Sequence, residues 1–260
     1  MKTLKIELDK EFLAIRDVLS SYLYRLTTNK EDMEDLLQDT YLKVNSNIDS
    51  FKGDSSFKTW VFAIATNLSR DNKRAKNRWE LEVQDKCRDA AVAQKHNQER
   101  MIDAFQSQTE KQFEIAEHIN YCFTCVAKNL SLEKQIAVIL KEVYEFKRSE
   151  IAEILKCTES VVKHLLHDGR NELQQKFEQR CALINKKGVC YQCAQLNNYF
   201  QEEKNAEEKI AKLPFSFAKS PEENLDVRFK LIHKINPLNS NGSKLEDTIL
   251  QILREAINDN

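Results

Sequence analysis

Ser149-Glu150-Ile151-Ala152-Glu153-Ile154-Leu155, then Lys156-Cys157-Thr158, then Glu159-Ser160-Val161-Val162-Lys163-His164-Leu165-Leu166-His167: the fold of this chain is decided here. The first segment reads as a short helix, the tripeptide as a break, and the third as the head of a longer, polar-faced helix running to about Arg180. Two helices joined by a three-residue break form the pattern of a helix-turn-helix. Working outward, two more helices precede it. Ile119, Phe123 and Val126 mark one that begins near Ile115; Ile136, Ile139, Leu140 and Val143 mark the inside of another from Ser131 to Tyr144.

Further upstream, Trp79 to about Gln112 is polar and aperiodic and reads as a linker with partial helix. Before it, Leu8, Phe12, Ile15, Leu19, Leu23 and Leu26 repeat as one face of a helix. Thr28 followed by Glu31 is a capping-box signal for the next helix. That helix buries Met33, Leu36, Leu37, Tyr41 and Val44 and turns Asp32, Asp35 and Asp39 outward. After a turn-rich loop from Asn47 to Ser56, Phe57, Trp60, Val61, Ile64 and Leu68 give the apolar stripe of a third helix. Its end is strongly basic: Arg70, Lys73, Arg74, Lys76 and Arg78 stand against the single acid Asp71. Residues 1–50 carry a net charge of −3 and residues 57–80 a net +4, so an overall charge of −1 hides a bipolar domain.

Composition sets the class. Only 4 Gly and 3 Pro occur in 260 residues, too few for sandwiches, dinucleotide-binding folds or Walker-type loops, which depend on glycine turns. The expected fold class is all-α: two small helical domains joined by a polar linker, with a helical C-terminal extension. An odd count of 7 cysteines, a charged start and no long apolar run point to a reduced, cytoplasmic protein without membrane insertion. No GxSxG or HExxH motif occurs, and the chain does not read as an enzyme.

Glu34-Asp35-Leu36-Leu37-Gln38-Asp39-Thr40-Tyr41, followed by Phe51-Lys52-Gly53-Asp54-Ser55-Ser56-Phe57-Lys58-Thr59-Trp60-Val61-Phe62-Ala63-Ile64-Ala65, resembles region 2 of bacterial sigma factors. The match is to the extracytoplasmic-function (ECF) class of the sigma-70 family. Ser149 to Arg170 resembles region 4 of that class. The likeness covers roughly residues 9 to 180 and implies region 2 over 9–79, a linker over 80–114, region 4 over 115–182 and a Cys-containing extension over 183–260.

The resemblance implies a protein that binds core RNA polymerase, recognises the −10 and −35 elements of promoter DNA and promotes transcription initiation. An anti-sigma factor is a further partner that it admits. By the same resemblance Asp35, Gln38, Asp39 and Lys43 face polymerase. The loop Asn47 to Lys58, with Phe57 and Trp60, provides the walls for a flipped −10 base. Arg70, Lys73, Arg74 and Arg78 supply phosphate contacts. At the −35 element, Thr158, Glu159, Ser160, Lys163 and His164, with His167 one turn on, meet base edges. Lys147, Arg148 and Arg170 are then phosphate contacts that position without specifying.

Two departures stand out. Lys156 occupies a turn where this family usually has glycine, and Gly169 lies inside the recognition helix, where it costs roughly 1 kcal/mol against alanine. The segment Lys156 to Arg180 is only +1.

Cys122-Phe123-Thr124-Cys125 and Cys190-Tyr191-Gln192-Cys193 are two CxxC pairs separated by 64 residues. Four such thiolates make a tetrahedral zinc site, with Cys181 as an alternative ligand; no other cofactor is called for. The same residues also read as a redox-switching thiol pair or as small core side chains. Beyond residue 195, helices over Pro221–Ile235 and Ser243–Asn258 carry apolar sets that need a partner surface, either as a regulatory lid or as a packed add-on. Two other readings stay open: a helix-turn-helix regulator that works without polymerase, and a metal- or thiol-responsive transcription regulator.

Overall fold

The computed structural model describes residues 2–80, 82–97, 99–100, 115–180, 220–240 and 243–257. These residues are all-α, with no strand among them. The helices are α1 (Lys2–Thr27), α2 (Lys30–Ser46), α3 (Phe57–Asp71), α4 (Lys73–Lys76), α5 (Val83–Ala93) and α6 (Ile115–Ala127). They continue with α7 (Leu132–Val138), extended by a π-helical turn over Ile139–Val143, then α8 (Arg148–Leu155), α9 (Glu159–Arg180), α10 (Pro221–Ile232) and α11 (Ser243–Ala256). Among the described residues no helix is long and apolar enough to cross a membrane.

The chain forms two compact units, and neither is a continuous stretch. The first joins residues 1–78 to 131–169, with a short piece at 236–238. In it α1 packs on α2 and α3, and α3 packs on α8. Leu19, Leu23, Leu26, Val61, Phe62, Ala65, Phe146, Ile151 and Ile154 are buried at its centre. Apart from the small Ala65, each such side chain contributes about 1.5–3 kcal/mol when fully removed from water. The Phe62 ring lies 5.1 Å from Tyr22 and 4.9 Å from Phe146. Several polar groups in this core are matched in pairs. The Tyr22 and Thr66 hydroxyls share a bond of 2.8 Å, and those of Ser21 and Tyr144 one of 2.7 Å. Gln135 Nε2 donates to the Arg25 carbonyl at 3.1 Å. Burial drives the Tyr22 phenol well above its ordinary range.

Three local readings change. The cap of α2 is Asn29, whose side chain accepts the Asp32 N–H at 2.9 Å; Thr28 precedes it in the left-handed region at φ 58°. The basic run does not continue α3. Asn72 ends that helix and caps α4 through the Ala75 N–H at 2.9 Å. The buried face of α3 is Thr59, Val61, Phe62, Ala65, Thr66 and Ser69, while Phe57, Trp60, Ile64 and Leu68 remain half-exposed. Small hydroxyl residues allow this close packing, because Ser69 returns its own hydrogen bond to the Ala65 carbonyl at 2.8 Å.

Gly169 also finds its reason in this unit. A Cβ there would lie 2.8 Å from Val138 Cγ2, so glycine is what lets α9 approach α7. Lys156, at φ 54° and ψ 48°, ends α8 in the left-handed conformation that glycine adopts without strain.

The second unit gathers residues 79–130, 170–235 and 239–260. Here α10 packs on α6 and α11 on α5. The Phe123 and Phe229 rings meet edge to face at 5.9 Å. The buried Arg228 guanidinium sits 4.3 Å over the Phe177 ring. Arg100 pairs with both carboxylate oxygens of Glu255, at 2.8 and 3.2 Å. Trp79, at the head of the expected linker, is buried and donates its backbone N–H to the Lys128 carbonyl at 3.0 Å. The helical extension is thus a packed part of this unit.

Candidate nucleic-acid interface

The exposed face of α2 follows from its buried one. Met33, Leu36, Leu37, Thr40 and Val44 turn inward, which leaves Asp35, Gln38, Asp39 and Lys43 on the surface. Asp32 differs from its neighbours. Its carboxylate lies 2.5 Å from Arg74 Nη1, so it holds the basic segment and is not part of an open acidic face.

The loop after α2 ends in a cap: Ser56 Oγ accepts the Thr59 N–H at 3.0 Å. This fixes the first turn of α3 and with it three aromatic rings. Phe51 lies 5.8 Å from Phe57 and 5.1 Å from Trp60, and Phe57 lies 6.0 Å from Trp60. All three are half-exposed. Phe51 is a member that periodicity could not supply, because it lies in the loop, outside any helical register. Lys58 turns the other way, its ammonium 4.6 Å from the Phe146 ring centroid.

The basic residues are not equivalent. Lys73 is exposed. Arg70 donates to Asn67 Oδ1 at 3.2 Å and to the Leu155 carbonyl at 3.4 Å, with Glu133 at 3.9 Å. Arg74 is held by Asp32. Arg78 donates to Gln135 Oε1 at 2.6 Å, to the Lys76 carbonyl at 2.9 Å and to the Ala75 carbonyl. Burial pulls its guanidinium down to about 10, which leaves it charged at neutral pH.

In the helix-turn-helix, Val162, Leu166 and Leu173 line the buried side of α9. Glu159, Ser160, Lys163, His164 and His167 are exposed, as are Thr158 in the turn and Lys147 and Arg148 at the start of α8. Thr158 Oγ1 accepts the Val161 N–H at 3.3 Å and so caps the helix. Val161 itself is exposed, which the sequence pattern did not single out. Arg170 belongs to the second unit, where its guanidinium donates to Asp226 Oδ1 at 2.6 Å and lies 5.4 Å from the Phe229 ring centroid.

Cys122 and Cys125 lie one turn apart on α6, both buried and neither in a disulfide. Cys181, Cys190 and Cys193 lie outside the described residues. Among the described residues no group of His, Cys, Asp or Glu is arranged to hold a metal ion.

Two family models match the chain: Sigma-70 region 2 over residues 12–79, and Sigma-70, region 4 over residues 122–173. They fall on the segments that carry the aromatic loop and the helix-turn-helix. The chain is a sigma-70 family sigma factor of the ECF class. It acts in transcription initiation. This sigma factor is 29% identical over 164 residues to the ECF RNA polymerase sigma factor SigW of Bacillus subtilis, covering 62% of this chain and 84% of that relative. It is 27% identical over 168 residues to SigX of the same organism, covering 62% and 78%. Among solved structures, it matches the co-crystal structure of the sigma factor RpoE in complex with the anti-sigma factor NepR from Bartonella quintana. That match has a TM-score of 0.46 at 20% identity and covers 66% of this chain and 97% of the other.

Proposed function

We propose that this sigma factor docks on core RNA polymerase through the α2 face and reads promoter DNA with the aromatic loop and with α9. Asp35, Gln38, Asp39 and Lys43 are the docking residues. Their common exposure on one helix supports the role, since a protein interface needs an accessible and continuous patch. Phe57 and Trp60, joined by Phe51, form the stacking wall for unpaired −10 bases. Bases stack on aromatic faces for about 1–3 kcal/mol each. The observation that carries this reading is the half-exposed ring cluster on a capped helix start: an apolar core would have hidden those rings.

Lys73, which is exposed, is the principal phosphate contact of the basic segment, with Arg70, Arg74 and Arg78 contributing beside it. In α9, Ser160, Lys163, His164 and His167 meet base edges of the −35 element, with Thr158 and Glu159 at the helix start. Lys147 and Arg148 lie at phosphates; Arg170 is assigned with them and must exchange Asp226 for DNA to serve there. The division into region 2 over 9–79, a linker over 80–114, region 4 over 115–182 and an extension beyond belongs to the same reading. So does location in the cytoplasm, where polymerase works. No cofactor enters it.

Co-migration with core polymerase on a sizing column, followed by run-off transcription, tests the reading. The native chain should bind and initiate. D35K/D39K should lose binding, and W60A should bind but fail to open the duplex. Promoter binding that is independent of core polymerase would instead favour a free-standing helix-turn-helix regulator.

A further inference from the structure

Val161 is 44% exposed, one of three large apolar side chains so exposed among the described residues, with Leu13 and Leu42. Nothing in the folding of α9 asks for it. The buried side of that helix is already filled by Val162, Leu166 and Leu173. A β-branched residue is also a poorer helix former than alanine, and its methyls lie in water.

Its place is specific. Val161 is the third residue of α9, at the end of a recognition helix that enters the major groove. Its exposed neighbours, Ser160, Lys163 and His164, are all polar. The Thr158 cap on the Val161 N–H fixes the backbone there, and a helical valine keeps essentially one χ1 rotamer. Two methyl groups are therefore presented in a fixed direction at small entropic cost. The major-groove edges of the four bases offer donors, acceptors and one apolar feature, the thymine 5-methyl group. With a net charge of only +1, the segment Lys156 to Arg180 has few phosphate contacts to lean on, so base contacts weigh more in what it selects.

Resting on the sigma-factor reading above, we propose that Val161 reads the 5-methyl group of one thymine in the −35 element by direct apolar contact. It is a specificity determinant that works beside the hydrogen-bonding residues of α9.

The full chain, assembled with core polymerase, is used to select active promoters from duplexes randomised over the −35 element. Each selected thymine is then replaced by deoxyuridine, which removes the methyl group and keeps the base pair. For the native protein, one position should lose about fourfold in run-off initiation, the worth of one apolar methyl contact. In V161A that loss should shrink to less than twofold, while losses at other positions stay as they were. Val161 is exposed and alanine is the better helix former, so V161A keeps the fold. A −35 element selected without thymine, a promoter indifferent to every deoxyuridine, or equal sensitivity in V161A each overturn the assignment and leave the sigma-factor reading standing. Absence of any transcript overturns that reading, and the assignment with it.

Discussion

Thr59 Oγ1 donates a hydrogen bond of 3.3 Å to Glu150 Oε1, across 91 residues of chain. The other oxygen of the same carboxylate accepts the Lys147 N–H at 2.7 Å. One side chain therefore caps α8 and ties it to α3, so the helix that begins the helix-turn-helix is fastened to the helix that carries Trp60. A double-mutant cycle of T59V and E150A, read by urea denaturation, should give a coupling of about 0.5–1.5 kcal/mol, the net worth of one part-buried hydrogen bond. Coupling near zero would mean that α3 and α8 stand apart in solution.

Gly169 should resist replacement. Alanine improves helix propensity by roughly 1 kcal/mol, but its Cβ would lie 2.8 Å from Val138 Cγ2. Overpacking of this kind costs about 1–3 kcal/mol, so G169A should lower the melting midpoint. Adding V138A should recover part of the loss. A melting midpoint raised by G169A alone would show that α9 can shift away from α7.

Lys156 should behave in the opposite sense. Its left-handed backbone costs an L-residue roughly 1–2 kcal/mol that glycine escapes, offset in part by the greater freedom of glycine in the unfolded chain. K156G should therefore raise stability by about 0.5–1 kcal/mol in thermal or chemical melts. Destabilisation would show that the lysine makes a contact worth more than the strain.

Salt dependence separates the two neighbouring cations. Lys73 is exposed, whereas Arg74 is held 2.5 Å from Asp32. For promoter binding by the assembled holoenzyme, K73A should reduce the slope of log affinity against log salt by about 1. R74A should change that slope by much less and lower stability instead, because it strands Asp32. Equal changes in slope would mean that DNA pulls Arg74 from its carboxylate.

Metal removal tests the cysteines. With Cys122 and Cys125 buried on the packed side of α6, prolonged treatment with EDTA should leave the melting midpoint where it was. A midpoint lowered by EDTA, restored by zinc and insensitive to both in C190S/C193S would establish the tetrathiolate site.

Much of this architecture is legible in the sequence wherever one apolar stripe settles a helix. The bounds of α9 follow from Glu159 to Arg180, and the exposed set on α2 follows from Met33, Leu36, Leu37 and Val44. Legibility fails where two stripes compete. On α3, Phe57, Trp60, Ile64 and Leu68 are the more hydrophobic choice, yet the helix buries Thr59, Thr66 and Ser69 beside Val61 and Phe62. Hydroxyls that bond to a nearby carbonyl or to Tyr22 lose their polarity penalty, and hydropathy alone does not register this. The joining of residues 1–78 to 131–169 was equally hidden. It rests on the packing of α3 against α8, with Phe62 on Phe146, and on single polar pairs such as Arg78 with Gln135; contacts between distant segments leave no periodic trace.

Gln135 reaches the Arg25 carbonyl across 110 residues, and Ser21 meets Tyr144 across 123. A ribosome adding about 5–20 residues per second finishes α3 several seconds before those partners exist. The nascent helices must therefore wait with Arg25, Ser21 and the Phe62 ring uncovered. In that interval the growing chain presents a surface that the completed unit conceals, and chaperones have access to it first.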